Sequence, residues 1–254
     1  MWLFVWDSEP SKIFVGDTQI SKVFLWDTKI RPKDVWELST DFTKYTSLAQ
    51  IQAQWWTWTT NISSTAPIYS YWSNGMGVGT SASYGYIYGG IYVKLPSPIA
   101  DWNKIVMKYN WSISTAQSWI IMTLSTTTKA NLATNNQTEL NYSQTYRGSA
   151  SDQWLAANKN VNGTKTWVVW WDLRSIQWTT WTYDAEVILD LSNNTSKWIC
   201  TSPSWMAYTS ESTISSAWKA LIIWTEYFIV WWALYERWAA RTAYIKNASI
   251  RVES

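Results

Sequence analysis

The sequence predicts an all-β protein, an antiparallel β-sandwich of jelly-roll type with a small N-terminal strand-and-turn region. Three observations predict it. From Ala66 onward, short apolar or alternating runs rich in β-branched and aromatic residues recur between turn signals. The helical pattern that βαβ units need is missing, so a parallel α/β sheet is excluded. At the N-terminus, a ten-residue unit couples apolar triplets to turn residues and repeats.

The repeat comes first along the chain. Residues 11–20 read SKIFVGDTQI, residues 21–30 read SKVFLWDTKI, and a looser copy, LFVWDSEP, occupies residues 3–10. The triplets Ile13-Phe14-Val15 and Val23-Phe24-Leu25 are too short for helices. Flanked by Gly-Asp or Ser-Lys, they read as short strands joined by tight turns. Such an array buries little by itself and needs a neighbouring domain or sister chains over one face. Pro32 cannot continue a paired strand, so the array is expected to end there. The expected division is residues 1–33 for the array and 34–254 for the sandwich, long enough for a real core.

The repeat also exposes an anomaly. Asp is preceded by Gly16 in the central unit but by Trp6 and Trp26 in its neighbours. Glycine accepts φ > 0 in a turn, and tryptophan is a poor replacement. The chain has 24 Trp and only 9 Gly, where average usage gives roughly 18 Gly. One hypothesis is UGA recoding: some genetic codes read UGA as Trp and others as Gly. The alternative is a chain truly rich in tryptophan. UGG codons at both 6 and 26 would remove the first.

A second sign follows. Ser47 is placed to cap a short helix through Gln54, with Leu48 and Ile51 on its inner face. Such a helix commonly ends on a left-handed residue, usually Gly, and the chain has Trp55 there. Under recoding, each of the doublets Trp55-Trp56, Trp170-Trp171 and Trp231-Trp232 holds at least one glycine position.

Strands are then expected in order at 68–72, 84–94, 103–113 and 118–127, the first followed by a turn at Ser73-Asn74-Gly75. Residues 128–162 are rich in Asn, Thr, Gln and Ser and read as loops around one weak strand near Leu140. Strand signals return at 166–173, 183–191, 220–224, 227–232 and 242–252. The last should lie inside a sheet, with Ile245, Ala248 and Ile250 buried.

The array IFVGDTQISKVFLWDTKIRP resembles the short repeat near the N-terminus of phage tail and minor structural proteins. The remainder, from DFTKYTSLAQIQAQWWTW to AYIKNASIRVE, is similar to the concanavalin-like or carbohydrate-binding-module-like jelly rolls attached to such proteins. The resemblance implies a virion component, made in the host cytoplasm. It implies other virion proteins as partners, a bacterial surface glycan or receptor as target, and homo-oligomers as one mode of assembly. The family pattern has Gly where this chain has Trp6, Trp26 and Trp55, so those side chains inherit no role.

Composition narrows the classes further. Charged residues are 15% and the net charge is +2, with basic residues scattered singly; no nucleic-acid partner is expected. Histidine is absent, which removes the usual general base, the commonest zinc ligand and any Ser-His or Cys-His pair. Cys200 is alone, so no internal disulfide forms. The start, MWLFVWDSEP, lacks the basic region of a signal peptide. The longest apolar run, 227–235, is too short to span a bilayer as a helix, so no membrane insertion is expected. No cofactor and no metal are expected, although Asp172 or Asn193-Asn194 carry oxygen ligands of the kind calcium takes.

Two constellations are candidates for chemistry. On a strand, Asp184, Glu186 and Asp190 share one face while Ala185, Val187 and Leu189 share the other. Carboxylates at i and i+2 lie roughly 6–7 Å apart along a strand, a separation open to glycosidase chemistry. The simpler account is an amphipathic strand with its polar face in water. Tyr84, Tyr86 and Tyr88 form an i, i+2, i+4 row that would stack sugar rings on a concave face or else pack inside the sandwich. Gly75-Met76-Gly77-Val78-Gly79 lacks the Lys-Ser/Thr and following helix of a phosphate loop and is set aside. The expected function is a non-enzymatic, tail-associated virion protein presenting a glycan- or receptor-binding sandwich. The alternatives are a depolymerase using Asp184 and Glu186, and a cellular surface carbohydrate-binding module.

Overall fold

The computed structural model describes residues 13–15, 18–20, 23–25, 28–30, 36–63, 66–79, 86–113, 118–126, 128, 140–149, 152–161, 164–172, 181–201, 207–235 and 242–253, some strand positions by backbone alone. Each complete decapeptide folds as one hairpin. β1 (Ile13–Val15) pairs antiparallel with β2 (Thr18–Ile20), and β3 (Val23–Leu25) with β4 (Thr28–Ile30). Both registers leave two residues between the strands, the spacing of a two-residue hairpin loop. The looser copy at 3–10, with Trp6, lies outside the described residues, as do Gly16 and Trp26.

Downstream, β5 (Trp36–Asp41) leads through a 3-10 turn (Phe42–Lys44) to α1 (Leu48–Gln52). Then come β6 (Thr57–Ser63), β7 (Ile68–Trp72), β8 (Gly75–Gly79), β9 (Tyr86–Lys94), β10 (Lys104–Ile113) and β11 (Ser118–Ser125). β12 (Leu140–Ser149), β13 (Asp152–Val161), β14 (Thr164–Asp172), β15 (Trp181–Asp190), β16 (Thr195–Thr201) and β17 (Ala207–Thr213) follow. α2 (Ser216–Ile223), β18 (Tyr227–Tyr235) and β19 (Thr242–Glu253) complete the order. β5 to β19 form two sheets. One has eight strands in the order β17-β16-β15-β10-β19-β8-β7, with β5 also on β19; the other has seven, β14-β13-β12-β11-β18-β9-β6. Every described pairing is antiparallel. The expected all-β antiparallel sandwich is what the chain forms.

Alternation builds the core. Ile105, Met107, Tyr109 and Trp111 of β10 face Ile120, Met122 and Leu124 of β11 and Phe228, Val230, Trp232 and Leu234 of β18 in one buried cluster. Ile245, Ala248 and Ile250 of β19 join it, as expected from the sequence. Their spacing of three and then two has a cause: the register between β10 and β19 shifts at Asn110/Trp111. A β-bulge adds one residue and returns the apolar side chains to the same face. At the β7–β8 reversal Gly75 has φ +95, and a Cβ there would lie 2.0 Å from the Ile245 carbonyl oxygen. Only glycine fits so close a backbone.

Two expectations are corrected. Residues 140–149 and 152–161 form the long strands β12 and β13, where the sequence reads as loops around one weak strand near Leu140. Their polar composition hid them, because each strand is defined by ladders to two neighbours that local sequence does not reveal. Residues 220–224 belong to α2 and its C-cap instead of a strand. The Ser215 hydroxyl accepts from the Trp218 backbone N–H at 3.3 Å, and Trp218 and Ile222, one turn apart, are both buried. Among the described residues no helix is long and apolar enough to cross a membrane.

Candidate functional site

The outer face of the eight-stranded sheet is polar because the alternation that buries one set of side chains exposes the next. Cross-strand register places Asp41, Asn247, Asn110, Asp184 and Thr201 in one row from β5 to β16. The adjacent row holds Ser39, Ser249, Lys108, Glu186 and Ile199. A groove of about 290 Å³ opens over these rows, lined by Lys108, Asp184, Glu186, Ile199, Thr201 and Asn247.

The sequence placed Asp184, Glu186 and Asp190 on one face, and the structure does the same. Ala185, Val187 and Leu189 are buried behind them. Both groove carboxylates are held by β10. Asn110 Nδ2 donates to Asp184 Oδ1 at 2.7 Å, and Lys108 Nζ lies 3.3 Å from Glu186 Oε1. Asn110 is only 7% exposed, and its Oδ1 has no partner. A glycosidase needs one carboxyl to give a proton while the other attacks or activates water. Here Asp184 accepts from the Asn110 amide and Glu186 lies beside the Lys108 ammonium. The groove offers carboxylate and amide oxygens, an ammonium and a hydroxyl beside one apolar side chain, groups able to hydrogen-bond a polar ligand.

Tyr84 lies outside the described residues, as do the side chains of Tyr86 and Tyr88. The backbone positions 86 and 88 sit on β9 opposite Tyr235 and Ala233, alternating with core residues Ile87 and Ile91. Backbone positions 86 and 88 thus belong to the seven-stranded sheet, whereas the groove lies on the eight-stranded one.

The other flagged residues have structural employment. Asp190 accepts from the Ser192 hydroxyl at 2.7 Å, and from Asn193 N at 2.9 Å and Nδ2 at 2.8 Å. Asn194 Oδ1 accepts from Lys219 Nζ at 3.2 Å. The Asp172 side chain lies outside the described residues, and among those described no cluster of three His, Cys, Asp or Glu could hold a metal. Cys200 is buried. Burial, with the Asp184 charge, pushes its thiol up to about 12, so it is a core residue and not a nucleophile. A second cleft of about 520 Å³ lies at the end of α2, between Leu95-Pro96-Ser97-Pro98-Ile99 and Trp224. Asn110 and Asn247 stand out in the sequence only as Asn-X-Ser triplets, read as incidental, and Lys108 not at all, because their meeting with β15 depends on strand order.

No family model and no curated protein matches the sequence. Solved structures do. A lectin from Bauhinia forficata in complex with GalNAc is 14% identical, with 86% of this chain and 99% of that chain covered and a TM-score of 0.58. The CBM2 module of the evolved Dit of Lactobacillus casei BL23 phage J-1 is 10% identical, covering 86% and 96%, with a TM-score of 0.56. Lectin I from Ulex europaeus, in complex with the methyl glycoside of α-L-fucose, is 12% identical, covering 85% and 98%, with a TM-score of 0.54. At such identities the likeness establishes the fold, a lectin-like β-sandwich.

Proposed function

We propose that the chain is a phage virion component, associated with the tail, whose sandwich binds a glycan or glycosylated receptor on a bacterial surface. The observation that carries this reading is the polar groove of Lys108, Asp184, Glu186, Thr201 and Asn247 on a sandwich shared with lectins and a phage carbohydrate-binding module. Residues 1–33 serve as the attachment region and 34–254 as the presenting domain; the paired hairpins β1-β2 and β3-β4, too small for a core, support docking on other virion proteins. Tyr84, Tyr86 and Tyr88 remain a proposed stacking row for sugar rings. The role is recognition without catalysis, a reading supported by structural neighbours that are lectins and a carbohydrate-binding module.

A glycan array with the whole chain tests this. Binding to at least one bacterial surface polysaccharide is expected, and Asp184→Ala with Asn247→Ala should weaken it about 10-fold or more, the scale of lost charge-assisted hydrogen bonds. Release of reducing ends from a bound polysaccharide would replace the binding role with the depolymerase. Binding to no glycan and no bacterial surface removes the recognition role. The proposal includes the recoding of UGA: some tryptophans in the written chain stand at glycine positions.

A further inference from the structure

Building on recoding, we infer which tryptophans are which: position 55 is glycine in the natural protein, while positions 56, 218 and 232 are tryptophan. The two members of the first doublet differ in every relevant respect. Trp55 has φ +73, the left-handed region that a side chain enters at a cost and glycine enters freely. Its indole is 74% exposed. Its backbone N–H donates to the Gln52 carbonyl at 3.1 Å, so the left-handed turn is fixed by the end of α1.

Trp56 is buried, and its Nε1 donates to Thr40 Oγ1 at 2.8 Å. Its ring lies 5.7 Å from that of Phe42 and 6.0 Å from that of Phe228. In the 231–232 doublet both indoles are fully buried, and what separates them is that Trp232 Nε1 donates to the Ala243 carbonyl at 3.1 Å whereas Trp231 Nε1 has no hydrogen-bond partner. Trp218 is fully buried, with its ring 6.1 Å from that of Trp198 and 8° from parallel. A glycine in any of those three places would leave a large core cavity. The gene therefore uses both codons, and the indole at 55 is not a ligand platform.

Two experiments decide it. The codons should read UGA at 55 and UGG at 56, 218 and 232. UGA at 56, 218 or 232 overturns the sorting while recoding stands; a gene without UGA removes recoding and the inference together. In the expressed chain, Trp55→Gly should raise the melting temperature by about 2–4 °C, and Trp55→Ala, which keeps a Cβ in the left-handed region, by clearly less. Trp56→Phe should lower it by several degrees through the lost hydrogen bond to Thr40. Equal gains for glycine and alanine at 55, or a loss with glycine, would overturn the assignment of position 55.

Discussion

An exposed tryptophan follows each helix, but at a different place and with a different backbone. Both are 74% exposed; Trp55 stands two residues beyond the Ala53 C-cap of α1, and Trp224 is itself the C-cap of α2. Trp55 has φ +73, whereas Trp224 has φ −86 and ψ 1, the bridge region that residues with a side chain occupy in turns without a positive φ. The N-terminal ends are matched: Ser47 and Ser215 each accept a backbone N–H, from Gln50 and Trp218, at 3.3 Å. Exposure alone therefore does not identify a misplaced side chain; the dihedral angle does. What surrounds the helices also differs. α2 is tied to the β15–β16 turn by Lys219 Nζ, which donates to the Leu191 carbonyl at 2.5 Å.

The anchors should show the largest effect. Trp218→Ala should cost about 3–5 kcal/mol and Ile51→Ala about 2–4 kcal/mol in denaturant unfolding; a loss below about 1 kcal/mol at either would mean that the helix is not a fixed part of the core. The caps come next. Ser47→Ala and Ser215→Ala should each cost about 1 kcal/mol, and near-equal losses would place the difference between the helices at their C-terminal ends. Trp224→Gly should lose about 0.5–1 kcal/mol through the unfolded chain's greater freedom. That sign is opposite to the change at 55, and a gain at both would break the distinction.

The smallest effect depends on pH. Burial pushes the Asp190 carboxyl up, but hydrogen bonds from Asn193 and Ser192 outweigh it and hold the carboxyl below its ordinary value. The stability this gives is present above the unfolded-state value near 3.9 and is lost as pH falls through the lower folded value. Asp190→Asn should flatten that part of an acid titration. An unchanged titration would show that the turn beneath α2 is indifferent to the charge.

The helices also show what was legible. α1 could be read because a capping serine stands one turn before an isolated apolar pair, Leu48 and Ile51. α2 could not, because Ala220-Leu221-Ile222-Ile223 is a short apolar run that periodicity alone leaves undecided between strand and buried helix. The two-faced character of β15 was legible from an alternation that Ile188 alone interrupts. The groove was not, since Asn110 and Asp184 stand 74 residues apart and meet only through the order of the strands. β12 and β13 were missed because long paired strands with polar side chains resemble loops in composition.

β19 has a consequence for synthesis. It lies between β10 on one side and β5 and β8 on the other, strands that leave the ribosome well over a hundred residues earlier. Until residues 242–253 emerge, β10 waits with one ladder unmade, and its open edge is free to pair wrongly. Contacts so distant in sequence close late and slowly. Premature termination before residue 242 would leave the eight-stranded sheet without its middle. Such a product should fall to proteases or aggregate, so that only chains translated through that strand reach the folded state.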